Sequence, residues 1–508
     1  MPERNHVKHG SEIMSNTEAK SCQTRKRNHA KHGSEIMSNT EVKSCQIRKQ
    51  NRVKHGNKMF CGFGYNSEIY YLCTNKITLM ENYRPRIMDA ILKEELDAMG
   101  AVLLEGPKAC GKTTTAEHAA GSVIYMDDPV KRNQYLQMVD TDITHILSGD
   151  TPRLIDEWQL ATKIWDAVRF EVDHRRDDGQ FILTGSAVPP KDDQAQMMHS
   201  GTGRFAWLKM RPMSLWESGE SSGEVSLENL FMMSPSEPIR GKNIHNLSDI
   251  AFLSCRGGWP KAVYKGRTKL ALKQAINYYE AIVRADISRV DDVERDEHRT
   301  RRIMRSYARH QGAQVSVQAI RDDICENDTL ELSDKTVYSY LNALRRIFVI
   351  EDMPAWNPNL RSKSAIRSSD TRYYVDPSVA CAALGLGPND LINDLNTFGL
   401  LFECLCVRDL RVYAQALDGG VYHFRDRTGL ECDAVVHLRN GRYGLIEIKL
   451  GGDRLIEDGV KSLLSLNDRI DTSKMKSPSF MMIITAVGDY AYRRTDGILV
   501  VPIGCLKH

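Results

Sequence analysis

The sequence predicts an α/β protein of several domains, with a parallel sheet crossed by helices near its centre. Three observations predict it. From about residue 80 onward, short apolar runs alternate with helical stretches, the pattern of parallel strands joined by crossover helices. The 508 residues exceed what one hydrophobic core organises, so roughly two to four domains are expected. A glycine-rich turn, GPKACGKT, joins one of the apolar runs to a helical stretch at residues 106–113.

The elements follow in order. Residues 4–26 recur almost unchanged as residues 27–49, and a third, broken copy starts at Gln50. A solenoid would need apolar positions to stack on its neighbours, and here only Ile13, Met14 and a few small residues could serve. Residues 1–79 therefore read as a disordered basic tail, or as translated upstream sequence with the working start at Met80 in place of Met1. The tail's histidines at 6, 9, 29 and 32 read as solvated. Residues 1–60 hold 13 Lys/Arg against 5 Asp/Glu, so the chain's net charge of +3 hides a slightly acidic remainder. Any nucleic-acid affinity of that remainder must come from local patches. No apolar run reaches the roughly 18 residues of a membrane span, and no signal-peptide core opens the chain, so a cytoplasmic location without membrane partners is expected. The 12 cysteines show no metal-like CxxC pairs and read as buried thiols.

AVLLEG (101–106), RLIDEWQ (153–159) and FILTGSA (181–187) read as strands, with a helix at 112–120. The Ser-, Gly-, Glu- and Pro-rich stretch 217–248 reads as an exposed insertion or boundary, and a helical stretch follows at about 265–310. A helix at 316–324, a turn, a longer helix at 333–348 and a strand-like run at 349–356 suit a winged helix. Ser333 can cap the longer helix, and Val337, Leu341, Leu344 and Phe348 share one of its faces. Lys335, Tyr338, Arg345 and Arg346 would then lie on or near a recognition helix.

The turn at 106–113 fits G-x-x-x-x-G-K-[ST] at every fixed position, after a strand and before a helix. In that setting the backbone of Gly106, Pro107, Lys108, Ala109, Cys110, Gly111, Lys112, Thr113 and Thr114 cradles phosphates, as in ATP. Lys112 reaches the outer phosphates and the Thr113 hydroxyl ligates Mg²⁺. Asp156, at the end of the RLIDEWQ strand, would help hold the Mg²⁺, and Glu157 would polarise an attacking water. Asp-Glu at that point signals hydrolysis more than transfer to a second substrate. Thr184 or Ser186 could sense the terminal phosphate. Arg204, after a glycine-rich turn, could act as an arginine finger across a subunit boundary; Arg211 could do the same or pair with a carboxylate.

The stretches EGPKACGKTTTAEHAA, LIDEWQLATKIWDAVR, ILTGSAVPP and HSGTGRFAWLKMRPMSLWE resemble the prokaryotic AAA-family P-loop ATPases whose C-terminal region is domain of unknown function 4143. The resemblance covers about residues 80–508 and implies ATP hydrolysis with Mg²⁺.

Near the C-terminus, ECDAVVHLRNGRYGLIEIKLGG (431–452) places Asp433 in one apolar strand and Glu447 and Lys449 in the next. Asn-Gly between the runs signals a hairpin. A two-residue loop would turn Asp433 away from Glu447. A three-residue loop, with Gly441 left-handed, would set them opposite each other and Lys449 on the same face. The pattern resembles the PD-(D/E)XK nuclease superfamily. That resemblance implies metal binding by Asp433 and Glu447, a catalytic Lys449, and assistance from Glu403 on the preceding helix.

The expected organisation is a tail (1–79), a P-loop parallel-sheet ATPase of the AAA type (80–216), a helical lid (217–300), a winged helix (301–356) and a restriction-endonuclease-like α/β domain (357–508). The expected function is ATP binding and hydrolysis coupled to DNA-facing modules, with DNA and further copies of the chain as partners. Two other readings compete: an ATP-dependent switch whose C-terminal domain binds DNA or protein without cutting, and a small-molecule kinase, which the Asp-Glu pair argues against.

Overall fold

The computed structural model describes residues 83–189, 200–234, 237–291, 293–326, 332–361, 363 and 366–508. The repeat tail, its histidines and Met80 lie outside these residues.

Helix α1 (Ile87–Ala98) leads into strand β1 (Ala101–Glu105), and the glycine-rich turn carries β1 into α2 (Lys112–Ala119). Then come β2 (Ser122–Tyr125), α3 (Arg132–Thr141), β3 (Arg153–Asp156), α4 (Lys163–Arg175), β4 (Phe181–Gly185) and β5 (Phe205–Lys209). The five strands form a parallel sheet in the order β2-β3-β4-β1-β5. Because β4 lies between β1 and β3, the carboxyl ends of all three are neighbours: Glu105 pairs with Gly185, and Asp156 with Thr184. Side chains along β1 alternate between two apolar layers. Val102 and Leu104 join a core with Leu92 and Leu96 of α1, while Ala101 and Leu103 join Trp165 and Phe205 on the other face.

After β5 come two very short strands, β6 (Val225–Ser226) and β7 (Gly241–Lys242), and then the helices α5 (Leu247–Arg256) and α6 (Lys269–Ala281). The helical stretch expected at 265–310 is not continuous. A π turn at Ile282–Asp286 follows α6, and α7 (Glu297–Arg309) is a separate helix. Next are α8 (Val317–Cys325) and α9 (Asp334–Arg346), the latter capped by Ser333 Oγ, which accepts from Thr336 N at 3.1 Å. Val337, Leu341 and Leu344 are buried on one face of α9, whereas Phe348 lies beyond the helix with φ 58°. Antiparallel bridges pair Ile350 with Tyr374 and Met353 with Thr371, giving a narrow ribbon after the three helices.

The remainder is α10 (Pro377–Leu384), the long α11 (Leu395–Gln415), β8 (Gly419–Arg425), β9 (Glu431–Leu438), β10 (Tyr443–Lys449), α12 (Asp453–Arg469), β11 (Phe480–Thr485), β12 (Tyr490–Arg493), β13 (Leu499–Pro502) and β14 (Leu506–Lys507). A mixed sheet runs β7-β12-β13-β11-β10-β9-β8, and β14 pairs with β6. The segment that begins the lid expected at 217–300 therefore contributes β6 and β7 to the C-terminal strands. Two-residue strands that pair with residues more than 200 positions away leave no periodic trace in the sequence.

One apolar core extends from α1 and β1 through α7, α9, α10 and α11 to β10, β11 and β13. The units of Arg84–His508 are packed on one another by that shared core, with α11 near its middle. Among the described residues, no helix is long and apolar enough to cross a membrane.

Candidate functional site

The chain leaves β1 at Gly106, whose φ is +151° and where a Cβ would lie 2.1 Å from the Met210 carbonyl oxygen, so only glycine fits. Ala109 in the same loop has φ 61°, a left-handed conformation that costs a residue with a side chain and is characteristic of functional loops. Gly111 caps α2 without a side-chain bond, leaving the first backbone N–H groups of that helix for an anion. Lys112 is buried, and its Nζ donates to the carbonyls of Gly106 and Pro107 at 2.9 Å each. Lys108 Nζ lies 2.7 Å from Asp286 Oδ1, at the end of the π turn. Thr113 and Thr114 stand half-buried in the first turn of α2.

Thr113, Asp156 and Thr184 meet at the mouth of this loop. Thr113 Oγ1 donates to Asp156 Oδ1 at 2.9 Å, and Thr184 Oγ1 donates to the same oxygen. Burial raises the Asp156 pKa, opposed by the two threonine hydroxyls. A hydroxyl and a buried carboxylate in contact fit a hard cation such as Mg²⁺. Glu157 follows in a left-handed conformation, φ 55°, and its Oε2 accepts from Ser186 Oγ at 3.0 Å and from Gln159 Nε2. The carboxyl ends of β3 and β4 thus bring Asp156, Glu157, Thr184 and Ser186 together beside the cradle.

The two arginines weighed as fingers part company. Arg204 precedes β5 at its amino end, and its carbonyl accepts from Ala101 N, at the end of β1 opposite Gly106. Five residues of strand, about 16 Å, separate those ends. Its guanidinium bonds Asp173 at 2.8 Å, so Arg204 does not meet its own cradle. Arg211 forms a two-point pair with Glu351 at 2.7 and 2.9 Å and donates to Gln415 Oε1 at 2.8 Å. Burial works against the Glu351 charge, but Arg211, Arg411 and Lys209 outweigh it and hold the pKa well below the usual glutamate value.

Behind the loop is a clasp that the sequence did not signal. Arg86 is buried and donates to Glu217 Oε1 at 2.9 Å, to the Cys110 carbonyl at 2.9 Å and to the Arg211 carbonyl at 2.8 Å. Glu217 also accepts from the backbone N–H groups of Ile87 and Ser214. Leu215 N donates to Asp409 Oδ2 on α11 at 2.9 Å, and Asp409 and Asp376 share the fully buried Arg408. The RPMSLWE stretch therefore ties the loop to α11. Nothing in its spacing names the distant partners.

The second cluster lies on the β9–β10 hairpin. Its register pairs Tyr443 with His437 and Ile446 with Ala434, and Gly441 has φ +80° with its N–H donating to the Leu438 carbonyl, a three-residue loop. Asp433 accepts from Ile448 N at 2.8 Å. Lys449 Nζ bridges Asp433 Oδ2 at 2.9 Å and Glu447 Oε2 at 2.6 Å. Burial and Asp433 push the Glu447 pKa well above the ordinary value, although Lys449 opposes them. Burial works against the Lys449 charge, but the two carboxylates outweigh it and raise its pKa. Glu447 Oε1 is buried with no hydrogen-bond partner. A partnerless buried carboxylate oxygen beside a second carboxylate fits a divalent cation. Glu403, on α11, instead accepts from the Tyr373 hydroxyl, and burial and Asp433 push its pKa up to about 8. Among the described residues, no three His, Cys, Asp or Glu side chains group as metal ligands.

Of the four residues expected on a DNA-facing α9, Lys335 and Tyr338 are exposed. Arg345 pairs with Asp352 at 2.6 Å, and Arg346 meets Asp291 at 3.6 Å and the Val188 carbonyl at 3.0 Å. These two arginines are paired with the neighbours of α9. Helical position alone does not reveal which cations are already paired.

A parallel sheet with a glycine-rich phosphate loop after β1, and a hydroxyl–carboxylate pair at its mouth, defines a P-loop nucleotide-binding domain. Comparison with known families refines this class. Residues 99–218 match the model of an AAA domain, residues 247–390 that of a domain of unknown function, DUF8612, and residues 398–506 that of another, DUF4143. An AAA-type P-loop ATPase domain and a DUF4143 domain are thus both present. No curated protein matches the chain. Among solved structures it is similar to the Walker-type ATPase PABY2304 of Pyrococcus abyssi, at 13% identity over 60% of this chain and 96% of that one, with a TM-score of 0.37. It is also similar to the Aeropyrum pernix Orc1 protein in complex with DNA, at 11% identity over 62% and 97%, with a TM-score of 0.21. TM-scores this low extend neither likeness to the arrangement of domains or to ligands.

Proposed function

We propose that the chain is a Mg²⁺-dependent ATPase of the cytoplasm whose nucleotide state is coupled to a DNA-facing winged helix and to a nuclease-like C-terminal domain. One observation carries the reading: Thr113, Asp156 and Thr184 converge on one carboxylate oxygen at the mouth of the phosphate loop. Thr113 and Asp156 would hold Mg²⁺, which supplies charge to the phosphates and orients them. The backbone from Gly106 to Thr114 binds the phosphates, Lys112 turns from the loop carbonyls toward them, and Glu157 orients a water for attack. The Ser186 hydroxyl keeps the Glu157 carboxylate at that corner. A catalytic role for Arg204 requires a second copy of the chain, since its own cradle lies at the other end of β1.

Helices α7 to α9 and the ribbon after them support the winged-helix reading, with Lys335 and Tyr338 as its outward residues. On the hairpin, Asp433 and Glu447 would hold a divalent cation, with Lys449 and Glu403 assisting cleavage of a phosphodiester. The second reading, binding of DNA or protein without cleavage, is favoured by the Lys449 ammonium, which already bridges both carboxylates.

The test is Mg²⁺-dependent ATP turnover with and without DNA, run beside a strand-cleavage assay. Glu157→Gln should keep ATP binding and lose turnover, and Lys112→Ala should lose binding, because Lys112 neutralises the charge of the outer phosphates. Equal turnover in wild type and Glu157→Gln would remove Glu157 from the mechanism. ATP turnover without cleavage on any DNA would select the second reading.

A further inference from the structure

The phosphate loop carries two ammonium groups, and they are held in different ways. Lys112 is folded onto carbonyls of its own loop, neutral partners that a phosphate replaces readily. Lys108 is held by a carboxylate, Asp286, 178 positions away on the helical unit that follows the first sheet. The Lys108 side chain is 46% exposed and that of Asp286 15%, so the lysine stands at the open mouth of the loop while its partner is fixed in the wall. Asp286 closes the π turn Ile282–Asp286, which interrupts the helical run between α6 and residues 287–289. Such turns are uncommon, break the regular hydrogen-bond ladder and concentrate at functional sites.

We propose that Asp286 is a nucleotide-sensitive latch. It holds Lys108 in the nucleotide-free protein and releases it to the phosphates when ATP binds, so that phosphate charge is felt by the helical unit bearing the π turn. The inference rests on the ATPase reading above and adds a positioning residue outside the AAA domain. A triphosphate in the cradle offers Lys108 an anion of higher charge than one carboxylate. The same triphosphate sets like charge close to Asp286, and both effects drive the pair apart. A diphosphate presents less charge at the mouth and drives it less.

The test measures ATP and ADP affinity by calorimetric titration of the full chain for wild type, Asp286→Asn, Lys108→Met and the double variant. Asp286→Asn should bind ATP about two- to fivefold more tightly, the range for a partly exposed ion pair, and gain less for ADP. Lys108→Met should bind ATP more weakly, and Asp286→Asn should add nothing in that background. Asp286→Glu should restore wild-type affinity. A bridge that only braces the helices would lower the melting temperature of Asp286→Asn and leave the ratio of ATP to ADP affinity unchanged, which overturns the latch. An equal gain in the Lys108→Met background overturns it as well. Failure of wild type to bind ATP would instead overturn the ATPase reading, and the latch with it.

Discussion

Lys449→Met is the substitution that best separates a cation site from a braced sheet. Lys449 Nζ is the positive charge between Asp433 and Glu447, whose side chains are 15% and 2% exposed. Methionine keeps most of the packing of the lysine stem and removes the charge. Removing one partner of a buried ionic cluster costs about 3–5 kcal/mol. Two features place this case at the lower end, about 3 kcal/mol. Asp433 retains the Ile448 N–H bond, and Glu447 can take up a proton, since burial beside Asp433 already raises its pKa. For a cooperative unit spanning Arg84–His508, an unfolding entropy of about 2.1 cal/mol/K per residue converts that loss into about 3 °C of melting temperature.

The assay is thermal unfolding of nucleotide-free protein, once in EDTA and once with Mg²⁺ or Mn²⁺. In EDTA the variant should melt about 3 °C below wild type. A divalent ion at about one hundred times its dissociation constant contributes about 2.7 kcal/mol, enough to bring the variant close to the melting temperature of wild type in EDTA. Nucleotide must be absent, because a cation at Thr113 and Asp156 would stabilise both proteins alike. Melting temperatures that divalent ion leaves unchanged in both wild type and the variant would refute the metal reading. The hairpin would then be a lysine-bridged pair of carboxylates that holds a sheet together.

Two further outcomes follow from other buried charges. Arg408→Met strips the guanidinium from Asp376 and Asp409, which keep only N–H and hydroxyl donors from Gly258, Ser378 and Leu215. A loss of about 3–5 kcal/mol is expected by chemical denaturation, and less than about 1 kcal/mol would show that the triad relaxes around the gap. The folded-state pKa values of Glu351 and Glu217 lie below the ordinary 4.5. Their stabilisation is therefore complete above that value and lost as pH falls through the lower folded-state values, because the unfolded chain takes up protons first. Unfolding measured from pH 6 downward should steepen below about pH 4.5, and Glu351→Gln should flatten part of that slope; an unchanged slope would mean Arg211 and Glu351 contribute little.

Local features of the chain were legible in the sequence, and distant pairings were not. The strands at 101, 153 and 181 and the turn at 106–113 follow from apolar runs and glycines, which act within a few residues. The hairpin register was open between two loops until Gly441, left-handed in the structure, selected the three-residue form. The missed features depend on residues far apart in sequence. Arg86 meets Glu217 and Cys110, Leu215 meets Asp409, and Lys108 meets Asp286. An arginine that faces solvent and one that pairs with Asp352 look alike in a helical stretch, and so the Arg345–Asp352 pair was not legible. β6 and β7 were missed because two residues cannot display a period.

The long helix α11 bears on how the two sites can affect each other. It carries Glu403 beside the hairpin and Asp409 beneath Leu215, six residues or about 9 Å further along. Near its end, Gln415 accepts from Arg211, which follows β5 at the edge of the phosphate loop's sheet. A displacement of residues 211–217 therefore moves polar partners at two points on the helix that bears Glu403. From residue 404 to 414 the helix is buried in the shared core, and a close-packed core shifts as a body in preference to deforming locally. Coupling between nucleotide and hairpin would then appear as a bodily shift of α11, visible only in the full chain. Cutting the chain between its matched domains would expose the apolar faces of α10 and α11, so a silent fragment would report lost packing and not an absent activity.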